Sequence, residues 1–89
     1  IGFDNVGSGL GSLFSNTTGA KNVALGHLAL YYNTTAIENV AVGASALYNN
    51  ITGNYNVAVG RRTLFTNTAG DGNSAFGYYA LFNNTSSGN

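Results

Sequence analysis

Residues 56–72 read NVAVGRRTLFTNTAGDG, and this seventeen-residue unit predicts the fold of the whole chain. Shifting the unit by seventeen residues in either direction superimposes it on a copy of itself. Glycine, leucine, an aromatic residue and asparagine recur at unit positions five, nine, ten and twelve in all five copies, without an insertion. A fixed period of this kind indicates a repeat architecture, in which each unit packs on its neighbours.

The period divides the 89-residue chain into a single repeat array. Residues 1–4 form a partial coil, and the complete coils follow as 5–21, 22–38, 39–55, 56–72 and 73–89. Because the chain begins and ends within the pattern, we expect it to be a segment of a longer fibre.

Seventeen residues are too few for the helical-hairpin repeats, which need more than about thirty. We therefore expect an all-β fold, a β-solenoid (parallel β-roll) of five 17-residue coils. In the first half of each unit, strand alternation sends valine at positions two and four to one face and alanine at position three to the other. The second half, which is rich in leucine and aromatic residues, is expected to be another strand or a short extended arc before a turn of the Asn-Thr-Thr-Gly type.

Stacking in register would place like residues above one another at intervals of about 4.8 Å. We expect ladders of glycine, leucine and asparagine, with the asparagine amides hydrogen-bonded from coil to coil. The ladder residues of the central coils are Gly26, Gly43, Gly60, Leu30, Leu47, Leu64, Asn33, Asn50 and Asn67.

Apolar or small residues occupy both faces of each predicted strand, yet a narrow coil can bury only one face. The exposed stripe would carry either the alanine column or the leucine and aromatic columns, and such a stripe usually marks an interface. We expect lateral association into a homotrimer about an axis along the stack. The alternative is a monomer with its aromatic rings lying flat on the outside.

The composition excludes several classes of protein. With 44% hydrophobic and 7% charged residues, the chain fits neither intrinsic disorder nor a coiled coil. The formal net charge is zero, which predicts no nucleic-acid partner. No apolar run approaches the roughly 20 residues of a membrane helix, so we expect no membrane insertion in this segment. The absence of cysteine excludes disulfides and thiolate metal sites.

The residues that carry acid–base chemistry are few. They are Asp4, His27, Glu38 and Asp71. No serine, histidine and acid set recurs on one coil face, so a hydrolytic triad is not supported. The glycine-rich residues 7–12 lack the lysine and helix of a phosphate-binding loop, and residues 70–73 lack the second aspartate of a calcium turn. We expect no enzyme activity, no cofactor and no metal site.

Five asparagines begin an Asn-x-Ser/Thr sequon: Asn16, Asn33, Asn50, Asn83 and Asn84. Turn chemistry explains both the asparagine and the threonine that follows it. We therefore expect these sequons to be coincidental and unglycosylated.

Unit positions six and seven vary where most other columns are fixed. Columns that packing leaves free to vary face solvent or a ligand, and tyrosine and arginine often carry interface energy. The candidate receptor-binding or glycan-binding residues are His27, Arg61, Arg62, Tyr78 and Tyr79. The alternative is that they are exposed residues which the fold tolerates.

The motif NVALG at 22–26, NVAVG at 39–43 and 56–60, and NSAFG at 73–77 resembles the YadA-type head repeats of trimeric autotransporter adhesins. It is similar also to the Asn-x-Ala-Ile-Gly-x-x-Ala-Leu-x-x-Asn-Thr-Thr-Gly arrays of phage tail fibres and large bacterial surface proteins. The resemblance covers all 89 residues. It implies a trimer of left-handed parallel β-rolls whose role is adhesion, although the unit here is longer than the adhesin head repeat.

We therefore expect a structural and adhesive segment of an extracellular fibre, on a cell or virion surface, that presents a receptor-binding edge to a host protein or glycan. One alternative is an ice-binding solenoid that uses the column of Thr17, Thr34, Thr68 and Thr85, interrupted by Ile51. The other is a self-polymerising filament, in which the coils of one chain stack end to end on the next.

Overall fold

The computed structural model describes residues 3–89, and five short strands form one parallel sheet. The strands are β1 (Val6–Ser8), β2 (Val23–Leu25), β3 (Val40–Val42), β4 (Val57–Val59) and β5 (Ser74–Phe76). They pair in chain order, with Val6 opposite Val23 and Val23 opposite Val40. The chain is therefore an all-β solenoid of stacked 17-residue coils, as the period predicts.

The predicted partial coil at residues 1–4 falls partly outside the described residues, which exclude residues 1 and 2. Its described part continues the stack, since the Lys21 N–H donates to the Phe3 carbonyl at 2.9 Å.

The second half of each coil is a series of turns, so the expectation of a strand or extended arc there is wrong. Leucine at unit position nine adopts φ values between 48° and 53° in every coil. Such left-handed conformations are uncommon outside glycine and cost roughly 1–2 kcal/mol per residue.

Hydrogen bonding explains why the leucines accept this conformation. The Leu28 N–H donates to Leu10 O of the preceding coil at 2.9 Å, whereas the Leu30 N–H donates to Ala46 O of the following coil at 3.0 Å. The N–H groups of residues 28 and 30 thus point in opposite directions along the solenoid. A single turn can therefore form hydrogen bonds with both neighbouring coils. Those bonds offset the backbone strain.

Alanine and leucine fill the interior of the solenoid. The central members of both columns have no solvent-exposed surface: Ala24, Ala41, Ala58, Leu30, Leu47 and Leu64. Alanine at unit position three points inward from the strand, and leucine at position nine meets it from the turns. The exposed apolar stripe that we expect from the sequence is therefore formed neither by the alanine column nor by the leucine column.

The outer face of the sheet carries the apolar residues of unit positions two and four. Val6 is 53% exposed and Phe76 is 67% exposed, while Val40 and Val42 in the middle of the sheet are half-buried. The aromatic column also lies at the surface, with Tyr48 half-buried. Valine columns and aromatic rings thus make up the apolar exterior of a single chain.

Two columns of asparagine complete the interior, at unit positions one and twelve. At position twelve, Asn50 Nδ2 donates to Asn33 Oδ1 at 3.1 Å and Asn67 Nδ2 donates to Asn50 Oδ1 at 2.9 Å. At position one, the Asn56 N–H donates to Asn39 Oδ1 at 2.9 Å. The predicted asparagine ladders are confirmed, and their side chains are buried.

The two asparagine ladders meet inside each coil. Asn39 Nδ2 and Asn50 Nδ2 both donate to the Gly53 carbonyl, each at 2.9 Å. Since these residues come from the start and the end of the same coil, the shared carbonyl closes the coil across its interior. The buried amides are thereby paired, as buried polar groups need to be.

Glycine at unit position five is required by backbone contact between coils. Gly43 has a φ of 129°, and a Cβ there would lie 2.7 Å from both the carbonyl carbon and the oxygen of Gly60. The predicted glycine ladder therefore marks a close approach of successive coils.

We predict that Gly43→Ala lowers the free energy of unfolding by about 3 kcal/mol or more, because strained φ and overpacking add. Gly72→Ala is the matched control, since Gly72 has a φ of 65° and open space around it. Its expected cost is about 1 kcal/mol. Urea unfolding followed by circular dichroism measures both, and equal costs would contradict the role assigned to Gly43.

We predict that Asn50→Ala costs about 3 kcal/mol, because it removes three buried side-chain hydrogen bonds worth about 1 kcal/mol each. The control is Asn49→Ala, where one bond to Phe65 O at 3.0 Å is lost from a half-buried side chain. We expect that control to cost less than about 1 kcal/mol. Thermal unfolding of the two variants gives the comparison, and a smaller loss at Asn50 than at Asn49 would refute the ladder's contribution.

Candidate functional site

The acidic residues lie at the turn that precedes each strand. Asp4 and Glu38 occupy unit position 17 with Lys21 between them, and all three side chains are exposed. Each has a φ between 56° and 59°, so this position is a left-handed turn. In residues 3–89, no group of three or more histidine, cysteine, aspartate or glutamate residues is arranged to hold a metal ion.

Asp71 uses its carboxylate for the turn itself. Its Oδ1 accepts the Asn54 N–H at 2.7 Å, and its own N–H donates to Ser87 Oγ at 2.8 Å. One coil earlier, the amide oxygen Asn54 Oδ1 makes the equivalent contact by accepting the Ile37 N–H at 2.8 Å. The Asp71 carboxylate therefore takes the place of an asparagine amide oxygen in this turn. Asp71 is thus part of a turn ladder at unit position sixteen.

The sequons divide into buried and exposed sites. Asn33 and Asn50 are fully buried and belong to the asparagine ladder, so an attached glycan would have no room. Asn16 donates to the Gly19 carbonyl at 3.0 Å in the same manner. Asn83, by contrast, is exposed.

The threonine column at unit position thirteen is partly engaged with the backbone. Thr17 Oγ1 donates to Thr34 O at 3.0 Å, and Thr34 Oγ1 donates to Ile51 O at 3.4 Å. Thr68 and Thr85 are exposed. Two of the four threonine hydroxyls in the column therefore donate to backbone carbonyls of the next coil.

The five candidate binding residues separate into two groups. His27, Arg61 and Tyr78 stand at unit position six with exposed side chains, whereas Arg62 and Tyr79 stand at position seven and are half-buried. His27 lies two coils from Arg61, a distance of about 10 Å at the spacing of stacked strands. The structure brings the arginine and tyrosine pairs together and leaves His27 apart.

The aromatic residues at unit position ten form a continuous stack along the solenoid. The ring centroids of Phe14 and Tyr31 are 5.1 Å apart, those of Tyr31 and Tyr48 are 5.5 Å apart, and those of Phe65 and Phe82 are 5.1 Å apart. Neighbouring rings are within 16° of parallel. Their faces cover one another, so the column offers mainly ring edges to a ligand.

Arg62 packs against this stack. Its guanidinium carbon lies 5.3 Å from the centroid of Phe65 and 5.9 Å from the centroid of Tyr79. Both distances are within the range of cation–π attraction. Tyr79 in turn stacks on Phe82 at 5.0 Å and contacts Tyr78 at 4.4 Å.

Sequence reasoning did not single out Tyr32, which the structure places in a cluster of tyrosine rings. Its ring meets Tyr31 at 4.8 Å and Tyr48 at 5.2 Å, in edge-to-face arrangements, and it is 42% exposed. The signal was the tyrosine pair at unit positions ten and eleven, which no other coil has. Three phenols of two successive coils therefore meet at one place.

This clustering changes the acidity of one hydroxyl. The neighbouring Tyr32 side chain, burial and the proximity of Tyr31 raise the pKa of Tyr48 above its ordinary value of 10.0. Each cause favours the neutral phenol.

The described residues enclose no cavity. The described part of the chain has no helix with the length and apolarity to traverse a lipid bilayer. Comparisons with protein-family models, with curated proteins and with solved structures find no match to this chain.

We predict that Tyr32→Phe lowers the pKa of Tyr48 towards 10.0, because the variant removes the phenol that stabilises the neutral form. Tyr55→Phe is the control, since Tyr55 is exposed at unit position seventeen and makes none of these ring contacts. Titration of the Tyr48 ring followed by NMR reports the shift. An unchanged Tyr48 titration in Tyr32→Phe would show that the neighbouring phenol has no influence.

Proposed function

We propose that the chain is a structural and adhesive segment of an extracellular fibre that functions as a homotrimer. The observation that carries this proposal is the apolar outer face of the sheet, which continues from coil to coil along the solenoid. Phe76 at 67% exposed and Val6 at 53% exposed lie near its two ends, and half-buried valines join them. Contiguous apolar surface of this kind marks an interaction site.

The regular stacking supports a rod that can extend by repetition. Each coil contacts mainly its neighbours, as in other repeat proteins, so added coils lengthen the rod without altering its cross-section. Such a scaffold suits a spacer that holds a binding edge away from its point of attachment. The resemblance to YadA-type head repeats supports both the trimer and the adhesive role.

Packing three outer faces around a common axis would remove the valine columns from water. A symmetric closed assembly uses the same surface of each copy, and the largely apolar outer face gives every copy the same surface to contribute. The edges of the coils, which carry the variable residues Arg61 and Tyr78, stay available for a host surface protein or glycan. We place the fibre outside the cell, on a cell or virion surface.

We predict that the purified 89-residue chain is a trimer in native mass spectrometry and in light scattering. Replacing Val42 and Val59 together by lysine puts charges in the centre of the outer face, and we expect that variant to be a folded monomer. Lysine at Thr52, an exposed turn residue, is the matched control and should remain trimeric.

A wild-type chain that is monomeric at high micromolar concentration would overturn the trimer. Long fibres in electron microscopy of the wild-type chain would instead favour the end-to-end filament. Circular dichroism of all variants establishes that the coils themselves are intact.

A further inference from the structure

Arg62 is held against the aromatic stack at the surface of the solenoid. Its guanidinium carbon lies 5.3 Å from the centroid of Phe65 and 5.9 Å from the centroid of Tyr79. Its Nε is shielded from solvent and has no hydrogen-bond partner, so a dissolved ligand cannot reach that atom. The side chain as a whole is only half-buried, and its two terminal nitrogens are the donors that remain for a ligand.

The surroundings of Arg62 form a compact surface, which we call the Arg–Tyr patch: Arg61, Arg62, Tyr78 and Tyr79. The Tyr79 N–H donates to Arg61 O at 2.9 Å, so the two pairs lie on directly adjacent coils. Tyr78 is 72% exposed and its ring contacts that of Tyr79 at 4.4 Å. The patch therefore combines two guanidinium groups with one openly exposed aromatic ring.

The charge of the patch is not balanced nearby. Arg61 and Arg62 are two of the three basic residues of the chain. The acidic residues stand at unit positions sixteen and seventeen, before the strand, whereas the arginines stand at positions six and seven, after it. The patch thus presents positive charge together with aromatic surface on a protein of zero net charge.

We propose that the Arg–Tyr patch binds an acidic polysaccharide through the carboxylate of a hexuronic acid unit. The planar guanidinium of Arg62 offers its two terminal nitrogens as a parallel pair of donors, which matches the two oxygens of a carboxylate. The ring of Tyr78 packs against the apolar C–H face of the sugar. This inference rests on the proposed adhesive function and names its ligand.

Single-stranded nucleic acid is the competing anion that also stacks on tyrosine. It needs a basic groove that follows the phosphates over several nucleotides. Two adjacent arginines, followed by Ala44 and His27 in the preceding coils at position six, do not continue in that way. The patch combines two neighbouring cations with one exposed ring and does not extend into a basic groove, which favours a sugar that carries a carboxylate.

The experiment is an NMR titration of the 15N-labelled chain with trigalacturonic acid, with neutral galactotriose and with a short single-stranded oligonucleotide. We expect the acidic trisaccharide to shift the Arg62 Nε–H signal and the amides of Tyr78 and Tyr79, and we expect added salt to weaken the effect. Equal shifts with galactotriose, shifts located elsewhere on the chain, or no shifts would each overturn the proposal. Tighter binding of the oligonucleotide than of the acid would also overturn it.

Variants separate recognition from simple charge. Arg62→Lys keeps the charge but loses the parallel donors, and we expect at least a tenfold weaker affinity for trigalacturonic acid. Arg61→Gln should weaken it several-fold, and Lys21→Gln, which removes a distant cation, should leave it unchanged. If Lys21→Gln weakened the affinity for trigalacturonic acid as much as Arg61→Gln does, the net charge alone would explain the effect. That result would refute a defined binding site.

Folding of each variant is checked from the side-chain amide signals of the buried asparagines. If Arg62→Lys disturbs them, Arg61→Gln and Tyr78→Ala, both at exposed positions, still decide the outcome. A trimer that fails to bind the acid would refute this inference alone, whereas a monomer that binds it would refute the trimer alone.

Discussion

Hydrogen bonding between successive coils is the interaction on which the rest of this structure depends. The strands use it in the parallel sheet, and the turns use it through peptides that alternate in direction. Inside the coil, asparagine side chains repeat the same pattern. Because every coil relies on the next for its polar partners, the register cannot slip by one residue without breaking all of these bonds together.

The interior that results is unusual in being small and partly polar. A coil of seventeen residues encloses room for two alanine, one leucine and two asparagine side chains, as at Ala41, Ala46, Leu47, Asn39 and Asn50. Asparagines such as Asn39 and Asn50 are acceptable there because their amides are paired and a backbone carbonyl accepts a further hydrogen bond from each, whereas Asn67 Oδ1 near the end of the ladder has no partner. The hydrophobic effect alone would not select such a core, since asparagine gains little from burial without a partner.

The same geometry explains why so many apolar residues are outside. Valine and the aromatic residues cannot enter a coil whose interior is already full, so they form columns on its surface. Stacked rings bury one another, and Arg62 extends the stack with its guanidinium. The repeat therefore arranges the surface residues in columns as well. These columns provide both the surface for association and the Arg–Tyr patch.

The sequence by itself determined the repeat, the parallel stacking and the identity of the ladders. These follow from periodicity, because a residue that recurs every seventeen positions at the same point of a coil can only form a column. The glycines at unit position five and the asparagines at position twelve were identified in this way. Only the tertiary structure decided which columns point inward and how the second half of each coil runs. The left-handed leucines, the Tyr32 cluster and the unpaired Nε of Arg62 depend on contacts between coils, and no local propensity encodes those contacts.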